Sequence, residues 1–384
     1  MTRSTILILG IIMLTHLHSC TGIQQDIGIR WSLSARLPPL PGQTTALGFA
    51  GPVSGIHHNV LLVAGGANFP DGMPWEGGKK KYYAEGFVMK KTQEDSLSLY
   101  KTFSLPYSLA YAACISTPTG IVCAGGENPG GVSSKVIQLQ WDETADSVII
   151  KKLPDLPLPL SNAGITIQDN IIYLAGGENS DSTSSGFYSL DITAPNARWN
   201  TLPNLPHAVS HAVVVAQSAN GNPSVYMLGG RKKNSNGISD IYATAYAFDL
   251  KKGEWNEIQS LPYSLCAGTG IAAGKNEILL FGGDRGETFH ETEVLIAAIN
   301  AATDTAKKQD LVRQKNQLQA AHPGFSREVL VYNTTTNNWT KTDPLPFEAP
   351  VTTTAVLWNN EVIIPNGEIR AGVRTPAIWM GKLR

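Results

Sequence analysis

Apolar residues in this chain cluster in short runs that end the same way. Five of them, "LLVAGG", "IVCAGG", "IYLAGG", "VYMLGG" and "ILLFGG", carry a strand-like stretch into a Gly-Gly pair. A sixth, "IIPNGEIRAGVRT" (363–375), arrives as the others do but reads Asn366-Gly367, with an acid next and two arginines close behind. Runs this short, rich in β-branched residues and bounded by glycine, predict strands. A second phrase also recurs, an aromatic or apolar strand ending in Leu-Pro: "RWSLSARLP", "LYKTFSLP", "IIKKLPDLP", "RWNTLPNLP", "EWNEIQSLP" and "NWTKTDPLP". Each copy precedes a small-residue strand, a turn and the strand that meets the glycines. A further strand such as "GFYSLDI", "AYAFDL" or "VLVYNT" follows. The repeat is about fifty residues long and holds four short strands, a period that marks solenoids and propellers.

The repeat resembles the kelch blade, so the predicted fold is all-β, a six-bladed kelch β-propeller. Glycine allows positive φ and close approach where inner strands crowd a central channel. The tryptophans are large enough to fill the wedge between neighbouring sheets. The chain starts on an outer, Trp-bearing strand at Trp31 and ends on three strands, "TTAVLW", "EVIIPN" and "AIWMGKL", that lack such a partner. The N-terminal strand should therefore complete the last blade and close the ring. Residues 21–384 then form one domain, because single blades cannot bury their own faces. One stretch breaks the strand pattern: 291–324, rich in Ala, Gln and Lys and free of Gly and Pro until its end, predicts one or two helices inserted in blade five.

Composition adds exclusions. A net charge of −1 gives no basic stripe, so nucleic acid is not expected as a partner. The N-terminus, "MTR" followed by "ILILGIIMLTHL", has a charged start and an apolar run too short and too early to span a membrane. It ends at "LHSC", which resembles a lipoprotein cleavage box with lipidation at Cys20, although His18 departs from the usual pattern. The alternative is plain secretory cleavage near that point. Residues 1–20 are thus expected to be a signal peptide and the protein to work in the periplasm or cell envelope. A lipid on Cys20 would be its sole membrane contact. If "TPTG" (117–120) is a tight hairpin, Cys114 and Cys123 lie opposite each other; a bridge fits an oxidising compartment, and a pair of small buried hydrophobes is the simpler reading. No metal site is read: His207 and His211 in "HAVSH" would stand ~13 Å apart on a strand, too far to share an ion.

In a four-stranded blade the loop between strands two and three shares a face with the link to the next blade. All six Gly-containing turns should therefore deliver their loops to one rim. Glu127, Glu178, Arg231, Asp284, Arg285 and Glu368 each follow a glycine pair, or its Asn-Gly replacement, by one or two residues. Blade one adds a long loop, "ANFPDGMPWEGGKKKYYAEG" (67–86), and the insertion should stand over the same face as a lid or pocket wall.

"GGANFPDG…YYAEG" together with "NGEIRAGVRT" is similar to the bacterial sialic acid mutarotases, kelch-type N-acetylneuraminate epimerases. Here the Asn-Gly-Glu blade is last and the Gly-Gly-x-x-Phe blade first, neighbours in a closed ring, so the chain resembles a cyclically permuted branch of that family. The resemblance implies interconversion of the anomers of a small sugar, sialic acid, in support of its uptake and use, without a cofactor. It implies Glu368 as proton acceptor and Arg374 as its catalytic partner, the acid being the reason the sixth glycine pair changed. A planar guanidinium suits the substrate carboxylate, and one partly buried carboxylate can serve both directions of ring opening. Asn68, Phe69, Glu85, Glu127, Arg231 and Arg285 are secondary candidates for binding the rest of the sugar. Two alternatives remain: a mutarotase or epimerase for another sugar, and a non-catalytic glycan-binding propeller.

Overall fold

The computed structural model describes residues 28–384 except residue 95; the leader expected at 1–20 and Cys20 lie outside the described residues. Six four-stranded antiparallel sheets make up the ring. Blade one uses Val53–His57, Val60–Ala64, Glu85–Lys91 and Leu97–Ser104 in that spatial order. Blade six combines Val356–Trp358, Glu361–Pro365 and Ala377–Leu383 with the N-terminal strand Ile29–Arg36. That strand pairs antiparallel with Ala377–Leu383, setting Ile29 opposite Leu383 and Arg36 opposite Ala377. The predicted closure is therefore the one observed.

The glycine pairs act through the backbone. Both members of all five pairs hold positive φ. A Cβ on the first glycine of blades one to four would sit 2.1–2.4 Å from a backbone carbonyl oxygen: that of Leu109, Leu160, Val209 or Leu265. The following N–H donates to that same carbonyl, so the pair is where each blade is tied to the next. In blade six Asn366 takes over at φ 58°, and Asn is the side chain that best tolerates this region. The expectation that the acid caused the change does not hold. Glu127, Glu178 and Asp284 occupy the position equivalent to Glu368 behind intact glycine pairs.

The tryptophans fill the inter-blade wedges as expected. Trp31 meets Phe281 and Phe347 edge-on at 5.7 and 5.3 Å between ring centroids. Trp199, Trp255 and Trp339 also donate their indole N–H to carbonyls of Pro154, Pro203 and Gln259, in or beside the Leu-Pro segment of the preceding blade. Cys114 does face Cys123 across a two-residue hairpin, and both are free, buried thiols, as is Cys266.

A second ring lies inside the first. Gly51, Tyr111, Asn162, His211, Ala267 and Thr352 each sit at positive φ near the axis. Each N–H donates to the carbonyl of its counterpart in the preceding blade, and Gly51 closes the circle onto Thr352 at 2.7 Å. The six residues frame a narrow throat of about 130 Å³.

Candidate active site

The residue that follows each pair forms one antiparallel bridge with the residue just before the inner-ring position. The six are Ala67, Glu127, Glu178, Arg231, Asp284 and Glu368. This bridge fixes six side chains around the rim. Over blades four, five and six it opens into a cavity of about 510 Å³ that contains Arg231, Asp284, Glu368 and Arg374, a size that suits a small organic ligand.

The insertion forms one wall. Helix α1 (Glu287–Ala301) starts four residues earlier than the sequence predicts, and α2 spans Thr305–Ala320. Phe289, Thr292, Glu293 and Ile296 follow helical spacing and face the cavity. Glu293 docks α1 on blade four, accepting the N–H and hydroxyl of Ser239 at 2.7 and 2.8 Å. On α2, Asn316 donates to the Trp75 carbonyl at 3.2 Å, joining the insertion to blade one's long loop. Phe69, Pro74 and Trp75 of that loop also line the cavity.

Glu368 and Arg374 face each other across a short hairpin, Glu368–Arg370 paired with Val373–Arg374. Glu368 Oε2 lies 3.4 Å from Arg374 Nη2, and its Oε1 accepts the Gly372 N–H at 2.9 Å. Only 5% of the Arg374 side chain and 19% of the Glu368 side chain is exposed. The guanidinium lies over the Phe69 ring at 4.8 Å. Its Nε and Nη1 are buried without a well-formed hydrogen bond, with the buried Tyr111 phenol beside the guanidinium. A buried donor left unmade costs about 1–3 kcal/mol, more when charged, so the site is built for an acceptor that a ligand would bring.

Beside this pair, Glu178, Arg231 and His211 form a closed network. Arg231 Nη2 binds Glu178 Oε1 at 3.0 Å, and Arg231 Nε donates to His211 Nδ1 at 3.3 Å. Ser210 and Asn162 also donate to the Glu178 carboxylate. Burial, with Arg231 adding to it, drives His211 down to about 3, so the imidazole is neutral with its proton on Nε2. Burial opposes ionisation of Glu178, but the Arg231 guanidinium and the Ser210 hydroxyl outweigh it and hold the carboxyl below its usual range.

Among the secondary candidates, Phe69 and Arg231 join Glu368 and Arg374 in the cavity. The others lie elsewhere. Asn68 is fully buried, donating to the Gly48 carbonyl and accepting from the Tyr83 hydroxyl. Glu85 lines a separate surface hollow with Asp71 and Lys81. Glu127 is held by Lys80 and the Tyr82 hydroxyl, both at 2.8 Å. Arg285 turns outward, stacked on Tyr263 at 4.0 Å and paired with Glu328 at 3.0 Å. The sequence reading missed His211, Thr352, Phe289, His322 and Phe325, all of which line the cavity.

A model of the family described as N-acetylneuraminate epimerase matches residues 153–384. The N-acetylneuraminate epimerase of Salmonella typhimurium is 28% identical over 230 residues, 59% of this chain and 57% of that protein. Its namesake from Haemophilus influenzae (strain PittEE) is 25% identical over 230 residues, 60% of this chain and 59% of the relative. The match thus spans under two thirds of either relative's length, and the part matched by the family model leaves out blades one and two. The solved structure of YjhT superposes with a TM-score of 0.61 at 13% identity, covering 92% of this chain and 100% of that one; this likeness bears on the fold.

Proposed function

The chain belongs to the N-acetylneuraminate epimerase family, and from that premise we propose that it interconverts the α and β anomers of N-acetylneuraminate by opening and reclosing the sugar ring. The observation that carries the reading is Arg374. Its buried guanidinium sets Nη2 3.4 Å from the carboxylate of Glu368 and leaves Nε and Nη1 without a well-formed hydrogen bond. The substrate bears a carboxylate on the anomeric carbon, and a guanidinium recognises that planar group. With the carboxylate held there, the anomeric hydroxyl comes within reach of Glu368, which takes its proton as the bond from anomeric carbon to ring oxygen breaks. The open-chain ketone turns and recloses from its other face. A neutral sugar would leave the Arg374 donors unmet, which disfavours it as substrate.

Phe69, Phe289 and Phe325 give the cavity apolar surface for the N-acetyl methyl group, and Arg231 and Lys233 supply donors for hydroxyls. In a cell this activity would support uptake and use of sialic acid from a periplasmic or envelope location, with Cys20 as lipid anchor. The test is proton NMR of freshly released α-N-acetylneuraminate. Wild type should convert it to the β anomer faster than the spontaneous rate. Glu368→Gln should lose the acceleration by roughly 10²–10⁴-fold while folding normally, and Arg374→Lys should raise KM by tenfold or more. A wild type no faster than water would sink the reading.

A further inference from the structure

Ring opening needs a second proton transfer that Glu368 does not itself supply, because the departing ring oxygen must be protonated. We propose that Asp284 is the group that protonates the ring oxygen, acting across the cavity from Glu368; this rests on the mutarotase reading of the same site. Asp284 occupies on blade five the bridging position that Glu368 occupies on blade six. Adjacent blades thus deliver two carboxyl groups to one cavity from equivalent points on its rim.

What separates Asp284 from the other rim acids is its company. Glu127 is paired with Lys80, Glu178 with Arg231 and Glu368 with Arg374. Asp284 has no ion pair among the described residues; its Oδ1 accepts the N–H of Gly286 at 2.8 Å. Burial pushes its carboxyl above the usual aspartate range and Glu287 adds to this, while the Gly286 N–H and Arg231 pull the other way. The two acids therefore sit in different surroundings, Glu368 beside a guanidinium and Asp284 buried without a cation paired to it among the described residues, the kind of difference that assigns base and acid within a pair. Burial pushes the His322 imidazole below its usual range, and its Nδ1 is occupied by the Gly324 N–H.

The step balances. Glu368 takes the anomeric hydroxyl proton, the oxygen's electron pair forms the C=O bond, and the pair of the breaking C–O bond goes to the ring oxygen. That oxygen takes the proton of Asp284. On reclosure from the opposite face the hydroxyl attacks the carbonyl carbon and gives its proton back to Asp284, while the carbonyl oxygen takes the proton held by Glu368 and becomes the new anomeric hydroxyl; both side chains are restored.

The experiment is the pH profile of anomer conversion by the full chain, using N-acetylneuraminate as probe and subtracting the spontaneous rate at each pH. Wild type is compared with Asp284→Asn, Glu368→Gln and His322→Gln. Asp284→Asn should slow conversion by roughly 10²–10⁴-fold and abolish the fall in rate on the alkaline side, with KM within a few-fold of wild type. His322→Gln should keep that alkaline limb. The assignment is overturned if Asp284→Asn retains the wild-type rate, if the limb persists in it, or if His322→Gln removes the limb instead. An inactive Glu368→Gln beside a normal Asp284→Asn would reject this assignment and leave the mutarotase reading standing, whereas an inactive wild type would reject both. Carboxyl-carbon NMR of the wild type gives a readout that needs no variant turnover. One aspartate should titrate above the ordinary range, and its absence would also overturn the proposal.

Discussion

At the residue scale the rim obeys a two-residue alternation. The first residue after each glycine pair turns toward the channel side, as Arg231, Asp284 and Glu368 do. The second turns away: Asn68 into the packing beneath Gly48, Arg285 out to Glu328. The third turns back, as Phe69 and Lys233 show. Strand geometry dictates this period. It explains why Glu368 and Arg231 were legible in the sequence, while Asn68 and Arg285, charged or polar and close to the same pairs, pointed elsewhere. His211 and Thr352 were not legible, because an inner-ring position carries no composition signal: Gly, Tyr, Asn, His, Ala and Thr all serve. Asn366 makes a testable case. Its amide is buried and both polar atoms lack partners, which costs about 1–3 kcal/mol, whereas glycine there would cost about 1 kcal/mol in backbone freedom plus the vacated volume. Asn366→Gly should leave stability within about 1 kcal/mol and kcat/KM unchanged, read by denaturant melts and the anomer assay. A larger loss would mean that the amide does more than hold a backbone angle.

At the scale of elements, the cavity is assembled by three pieces that meet above the ring: the blade-six hairpin, blade one's long loop and the helical insertion. The existence of the helices was readable from their Gly- and Pro-free composition. Their cavity-facing side was not, because Phe289, Thr292 and Ile296 form only a narrow apolar stripe on α1, and what they face is set by the distant docking of Glu293 on Ser239. Gly372 is the joint between two of the pieces. It holds φ 74°, its N–H reaches Glu368, and a Cβ there would stand 3.1 Å from Pro74 Cδ and 3.2 Å from Met73 Sδ. Gly372→Ala should therefore cost about 1–2 kcal/mol in backbone strain and misplace Glu368, lowering kcat by about tenfold in the anomer assay. Unchanged kcat would show that the hairpin tip adjusts without moving the carboxylate.

For the whole molecule the decisive feature is that the first strand is borrowed to finish the last sheet. Deleting residues 29–36 should leave Ala377–Leu383 as an unpaired edge and uncover Phe281 and Phe347, which pack on Trp31. Light scattering should then report self-association and calorimetry a lower melting temperature. A shortened chain that stayed monomeric with an unchanged melt would contradict the closure. The number of blades and this closure were readable because repeats are counted by local pattern. The place where the rim widens into a cavity was not, because it depends on which neighbours are bulky.

The same borrowed strand also orients the molecule. Ile29 stands beside Leu383, and the Arg384 N–H donates to the Gly28 carbonyl, at the hairpin end of blade six, opposite the rim that holds the cavity. Were Cys20 to carry lipid, seven residues would separate it from Gly28, a leash of at most roughly 28 Å. A propeller moored that way would hang from the face opposite the cavity with its mouth toward the open compartment, so that sugar arrives from bulk solution and never has to pass between protein and bilayer.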